Sequence, residues 1–451
     1  MMSFPPGPSK ASSSSSSANP VYTSLPTNTS TSSFDAPTTT RQPFYRRSPL
    51  LFVGCGAALI LFTALLVAAE RRRLLPNNHS NDETSLSGGI QTNTQNKSPK
   101  RVCDPHDLPG VLHLAEDINN LQGALETSWQ PINSTSCPSQ SYVNQVASLN
   151  ASTSTSLPKA LYNRTILLIG DSVDRANNQY TCHLLSGNYT ITKPGHPYWA
   201  QDDIPDKSAW KPNQYSERSF PTICHVESVD LFIMNVFHFG LDEEDYFTWK
   251  DQYGPPYTVE ERIEQIALPL IEEVGRKVDI LEFSSGLWDL ARFGRQDDSA
   301  LTSTSTTTVR HLTLDRLQWF GTRFSAVLSL LNDHLPSDVI PQRYIRYLHK
   351  SSDDDAGSFQ QWWQVGGGGE KGDKHTYYFP SWRVDELNMA IMDAVDHLNS
   401  EQTERSARWN IDTWGAKLSG MELFDEGNVH PHYAATTLWI EQMFYRLING
   451  Q

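Results

Sequence analysis

From Thr165 onward, short, mostly apolar runs alternate along this chain with longer stretches whose apolar residues recur every three to four positions. The runs are Thr165–Ile169 (TILLI), Val229–Val236 (VDLFIMNV) and Val278–Phe283 (VDILEF), with a weaker one over Arg343–Leu348. Runs of this length predict strands buried on both faces, as in a parallel sheet. Helical spacing covers Val173–Leu185, Val259–Val274, Leu312–Leu335, Val384–Asn399 and Tyr433–Ile448. The alternation predicts an α/β fold, a three-layer α/β/α sandwich around a central parallel sheet. Ligands of such sheets sit at the carboxyl ends of the strands, so the turns that leave those ends are where chemistry is expected.

The first hundred residues follow another pattern. Residues 1–49 are rich in Ser, Thr and Pro and carry too little apolar surface to fold, so a disordered cytoplasmic tail is expected. Residues 50–69 (LLFVGCGAALILFTALLVAA) hold no charge over 20 positions. As a helix they would reach about 30 Å, the thickness of a bilayer core, which predicts one transmembrane signal anchor. Residues 70–101 read as a polar stalk and residues 102–451 as one folded domain, interrupted by low-complexity loops at 299–308 and 351–374.

Arg41, Arg46 and Arg47 before the apolar segment balance Arg71, Arg72 and Arg73 after it, so the positive-inside count gives no orientation. Other features do. Six Asn-x-Ser/Thr acceptors, at Asn78, Asn96, Asn133, Asn150, Asn163 and Asn188, follow the segment, as do four of the five cysteines. Both suit an oxidising, glycosylating lumen, and the expectation is a type II protein of the Golgi or secretory pathway. Closure of the nearest neighbours, Cys103–Cys137 and Cys182–Cys224, costs the least loop entropy and is the expected pairing. No Cys-x-x-Cys pair suggests structural zinc. A net charge of −15 with only 36 Lys and Arg argues against nucleic acid and is compatible with a glycan or a small acyl substrate.

The candidate chemistry begins directly after the first apolar run, in Gly170-Asp171-Ser172-Val173-Asp174-Arg175. This spacing puts Ser172 on a strand-to-helix turn, where its hydroxyl and amide can face a substrate at the helix N-terminus. A serine there can instead serve only as the helix N-cap. A nucleophilic serine needs a base, and the base an orienting acid. The segment Phe424-Asp425-Glu426-Gly427-Asn428-Val429-His430-Pro431-His432 offers His430 as base and Asp425 as acid, with His432 and Glu426 as substitutes. A metal reading of the two histidines lacks further ligands, and no cofactor is expected. Oxyanion donors are sought in Asn235–Gly240 and Ser284–Asp289, which follow the second and third runs.

Together these segments resemble the SGNH or GDSL hydrolase superfamily. The stretch GDSVDRANNQY is similar to the opening of its membrane-anchored PC-esterase branch, which includes polysaccharide O-acetyltransferases. The resemblance covers Ile166 to the C-terminus and rests on short motifs. It implies Ser172 as nucleophile, His430 as base with the acid just upstream, and the Ser172 amide, Gly240 and the Gly286 segment as oxyanion donors. Two positions depart from the family pattern. Gly427 stands where the family has its acid, three residues before the histidine, and Trp288 replaces an Asn before Asp289. The implied function is hydrolysis or transfer of an acyl ester, with acetyl as the expected group, on a glycan. The alternative is an inactive glycan-binding or scaffold protein of the same fold. A metal-dependent glycosyltransferase would use Asp353-Asp354-Asp355, but that run reads as a solvated loop.

Overall fold

The computed structural model describes residues 103–135, 137–149, 157–199, 217–243, 254–300, 311–350, 378–402, 408–418, 423 and 429–450. The expected tail, membrane anchor and stalk lie outside the described residues, as do both low-complexity loops apart from 299–300. Among the described residues no helix is long and apolar enough to cross a membrane.

A small module comes first. Strands β1 (Gly110–His113) and β2 (Ser128–Pro131) pair antiparallel, and helices α1 (Leu121–Glu126) and α2 (Tyr142–Ser148) start at the side-chain caps Asn120 and Ser141. The remaining elements run in chain order as β3 (Arg164–Gly170), α3 (Ser172–Leu184), β4 (Asn188–Ile191), β5 (Thr222–Val226), β6 (Leu231–Phe237), α4 (Val259–Arg262), α5 (Leu268–Val274), β7 (Ile280–Phe283), α6 (Leu287–Ala300), α7 (Leu314–His334), β8 (Gln342–Arg346), α8 (Ser381–Glu401), β9 (Asn410–Asp412), α9 (Trp414–Lys417) and α10 (Tyr433–Asn449).

Seven strands form one sheet in the order β4-β5-β6-β3-β7-β8-β9. The five from β6 to β9 are parallel, in agreement with the expected architecture. The expectation of an all-parallel sheet is corrected at one edge, where β5 runs antiparallel to both β6 and β4. The tight turn Val226–Leu231 explains the reversal. Asp230 adopts φ 51°, and its amide donates to the Glu227 carbonyl at 3.2 Å, so β6 starts at Leu231 rather than Val229.

The sheet separates two apolar cores, and the period-2 geometry of its strands allots side chains to each. In β3, Leu167 and Ile169 enter the core beneath α4, α5, α7 and α8, while Ile166 and Leu168 enter the core beneath α10, α1 and α2. The layered sandwich follows from this. The expected disulfides are both present. Cys103–Cys137 joins residues on either side of the N-terminal hairpin and Cys182–Cys224 ties α3 to β5.

β3 lies between β6 and β7, where the chain's crossovers change direction along the sheet. That is the position at which open α/β sheets leave a crevice at their carboxyl edge. Ser172, Gly240 and Gly286 follow the carboxyl ends of these three neighbouring strands.

Candidate active site

α3 begins one residue after β3 ends, and its cap is Asp171 rather than Ser172. The Asp171 carboxylate accepts the Val173 amide at 2.8 Å, and Asp174 Oδ2 accepts the Asp171 amide at 3.1 Å, a reciprocal capping box. Ser172 is therefore the first helical residue, and its hydroxyl has no capping duty. Gly170 is required by Asp174. A Cβ at position 170 would stand 1.9 Å from Asp174 Oδ2, inside the van der Waals radius.

The capping box is itself anchored. Arg346, at the end of β8, grips Asp174 with two hydrogen bonds, Nε to Oδ1 at 3.1 Å and Nη2 to Oδ2 at 2.8 Å. Its Nε also lies 3.6 Å from Glu282 of β7, which accepts from Trp439 Nε1 at 3.1 Å. Arg446 of α10 continues the chain of charges to Asp412 of β9 at 3.0 Å. All of these groups are buried. Burial first, and Asp412 second, push the Glu282 carboxyl well above its ordinary range, whereas Arg446 holds Asp412 below its own. Burial, aided by Asp174, pushes the Asp171 carboxyl up to about 6. Arg346 and Arg446 thus balance a buried acidic cluster directly behind the turn that carries Ser172.

His430 Nε2 lies 2.8 Å from Ser172 Oγ. Burial, reinforced by Arg175 and Arg218, lowers its imidazole to about 4, so it is neutral at ordinary pH and able to accept a proton from the hydroxyl. It is His430 that meets Ser172. His432 caps α10, and its amide donates to the Leu423 carbonyl at 2.8 Å. His349, buried after β8, bonds through Nε2 to the carbonyl of Val429 and so fixes the residue immediately before His430. Asp425, Glu426 and Gly427 lie outside the described residues.

The two glycine turns converge on Asp289. Its Oδ1 accepts the Leu241 amide at 2.9 Å and its Oδ2 accepts the Ser285 hydroxyl at 3.1 Å. Gly240 (φ 90°) and Gly286 (φ 144°) both occupy backbone conformations that L side chains rarely adopt. A Cβ on Gly240 would come within 2.9 Å of the Asp289 carboxylate, and one on Gly286 within 2.4 Å of Leu348. Burial pushes the Asp289 carboxyl up to about 6. His238 braces the same wall, donating from Nε2 to the Ser284 carbonyl at 2.9 Å and accepting the Gly240 amide on Nδ1 at 3.2 Å. Its imidazole is lowered to about 4, chiefly by burial. Trp288 packs edge-on against Phe237 and Phe239, at 5.8 and 5.2 Å between ring centroids.

Ser172, His430, Gly240 and Gly286 are legible in the sequence because each sits in a local motif. Arg346, His349, His238 and the latch role of Asp289 were not. Arg346 is 172 residues from Asp174, and the only cue to it is a charged residue closing an apolar strand pattern.

No family model matches the chain, and no curated protein is similar to it in sequence. Among solved structures it is similar to an acetylxylan esterase from Geobacillus stearothermophilus, at 9% identity and a TM-score of 0.30, over 64% of this chain and 96% of that one. It is also similar to a peptidoglycan O-acetylesterase, at 9% identity and a TM-score of 0.29, over 75% of this chain and 100% of that one.

Proposed function

We propose that this domain is a serine-dependent acyl esterase or acyltransferase, with Ser172 as nucleophile and His430 as general base. The observation that carries the reading is the 2.8 Å contact between Ser172 Oγ and Nε2 of a half-buried His430 whose pKa is lowered to about 4, made by a serine that its helix does not need as a cap. In the reaction, Nε2 takes the hydroxyl proton as Oγ attacks the acyl carbonyl. The tetrahedral oxyanion faces the amide of Ser172, one of the first-turn amides that a helix leaves unsatisfied, and the Gly240 and Gly286 turns beside it. The alcohol then departs with the proton from His430, leaving acyl-Ser172. Water or a second hydroxyl attacks this ester and restores the serine. Asp425 is the proposed orienting acid for the imidazole.

The proposed substrate is an acyl ester, expected to be acetyl, on a glycan of the secretory pathway, reached by a domain held on a bilayer by residues 50–69. Two disulfides support an oxidising compartment. Ser172→Ala should lower aryl-acetate turnover by at least 10³-fold, the scale expected when a nucleophile is removed. It should also abolish labelling by a fluorophosphonate while leaving the thermal midpoint within a degree or two. Wild-type turnover in the mutant would sink the reading. A well-folded wild type that binds oligosaccharide but neither labels nor turns over esters would favour the binding-protein alternative, for which the engagement of the Gly240 amide by His238 is the structural motive.

A further inference from the structure

Ser172 opens a strip of α3 that stays accessible along the helix. At 3.6 residues per turn, positions 176, 179 and 183 return to within about 40°, 20° and 20° of the direction of Ser172. Ala176 and Gln179 are half-buried and His183 is exposed, whereas Val173, Asn177, Asn178 and Cys182 on the opposite side are buried. From Ser172 to His183 the strip runs about 16 Å, at a rise of 1.5 Å per residue. Its far end meets the segment that carries the base. Tyr433 follows His430 by three residues, so their Cα atoms stand within roughly 11 Å of each other. His183 Nδ1 lies 2.9 Å from the Tyr433 hydroxyl, and the Tyr180 ring backs that of Tyr433 at 4.3 Å between centroids. Tyr433 is thus held by two residues of α3 and remains only half-buried. Such a phenol offers an apolar ring with a polar tip, and the imidazole beside it a second polar edge. A sugar ring presents the complementary surface, with C–H groups on its faces and hydroxyls around its rim. Ala176, Gln179 and Tyr433 carry no charge, so hydroxyls rather than ionic groups are what they can recognise.

We propose that Gln179, His183 and Tyr433 form a track that holds an extended, uncharged sugar chain along α3, with its ester over Ser172. Continuity with the Ser172–His430 contact argues for this occupant, since one short segment, 430–433, carries the base at one end and the aromatic ring at the other. Ala176 leaves the chain room to lie close to the helix. The track suits esters within a polysaccharide rather than on single sugars. The inference deepens the proposed function and rests on it for the position of the reacting ester.

The test is turnover by the full chain of O-acetylated xylo-oligosaccharides of two and of six sugars, measured beside an aryl acetate. The hexamer should show a kcat/KM at least tenfold above that of the dimer, carried mainly by KM, as expected of contacts made equally before and during the reaction. In Gln179→Ala and in Tyr433→Ala the ratio of hexamer to aryl-acetate kcat/KM should fall at least fivefold. Tyr433→Phe, which keeps the ring, should retain more of that ratio than Tyr433→Ala. Taking the ratio discounts any general loss of folded enzyme. Equal constants for dimer and hexamer, or a ratio untouched in both alanine variants, overturn the track. Should Ser172→Ala retain turnover, the esterase reading fails on its own. Calorimetric titration of the deacetylated oligomers into the full chain then decides the track separately. The hexamer should bind at least tenfold more tightly than the dimer and lose that advantage in Tyr433→Ala, and equal affinities refute the track.

Discussion

Asp289 is a single side chain asked to hold two backbone turns. One oxygen fixes the Leu241 amide and the other the Ser285 hydroxyl, and each turn carries a glycine after a strand that flanks β3. Asp289→Ala would leave the buried Leu241 amide unsatisfied, at a cost of about 1–3 kcal/mol in stability. The larger effect is expected in catalysis. With the turns released, kcat on an aryl acetate should fall ten- to a hundredfold with little change in KM. Asp289→Asn, which keeps one acceptor for the amide, should recover most of the stability and part of the rate. Equal losses of rate in the two variants would show that neither the shape nor the single acceptor that Asn retains holds the turns. At this scale the sequence is readable where function compresses into a few adjacent residues. Gly170-Asp171-Ser172 and the late His430, which the structure brings into contact, could be singled out because a strand-to-helix turn and a histidine in a loop marked by Gly, Asn and Pro have local signatures. The choice of Asp171 over Ser172 as cap could not, since both residue types cap helices. Only the pairing of Asp174 with distant Arg346 favours the first.

Among the elements, α10 does more than close the sandwich. Glu441, buried in its middle, accepts the amides of Tyr142 and Val143 at 2.7 and 2.9 Å and pins the start of α2 to the main domain. Burial pushes its carboxyl up to about 7, from an ordinary 4.5. A folded-state value above the unfolded one stabilises at low pH, and the contribution is lost as pH rises through the folded value. Glu441 should thus favour the folded domain below about pH 4.5 by roughly 3 kcal/mol relative to pH 8, with the loss falling between pH 4.5 and 7. Urea denaturation at pH 5 and pH 8 should show that difference in the wild type and a smaller one in Glu441→Gln. An unchanged difference would remove Glu441 from the account. Element boundaries were read well where the apolar pattern is strong, as for β3, α7, α8 and α10. They were missed where it is diluted: β4 and β5 form a polar-flanked edge, β9 has three residues, and α6 begins inside the segment read as a loop. The predicted helix Val259–Val274 is continuous but contains a π turn, Ile263–Ala267, shortly before Pro269. Proline has no amide to donate, so the regular ladder cannot pass through it unchanged.

The whole domain is cross-linked at two places that the fold uses differently. Cys103–Cys137 spans 34 residues and closes the N-terminal module, whereas Cys182–Cys224 spans 42 and fixes the far end of α3 to the antiparallel edge of the sheet. Loops of this length constrain the unfolded chain by about 3–4 kcal/mol each. Reduction with a strong dithiol should therefore lower the thermal midpoint by many degrees, and the double replacement Cys182→Ser with Cys224→Ser should reproduce about half of that loss. A midpoint indifferent to reductant would contradict both bridges. The overall α/β class and the cysteine pairing were legible because they follow from alternation and loop length. The reversal of β5 was not, because one left-handed residue at Asp230 decides it.

The chain of buried charges from Asp174 through Arg346 and Glu282 to Arg446 has a consequence in time as well as in space. A polypeptide leaves the ribosome from its N-terminus, so Ser172 emerges 258 residues ahead of His430. The cation that completes the acidic cluster behind its turn emerges later still. Until Arg446 arrives, the half-made domain holds carboxylates that one arginine cannot balance, and its serine has no base. On the proposed chemistry the nascent chain would be unable to attack esters, and the finished domain would acquire its base and its last structural support in nearly the same step of synthesis.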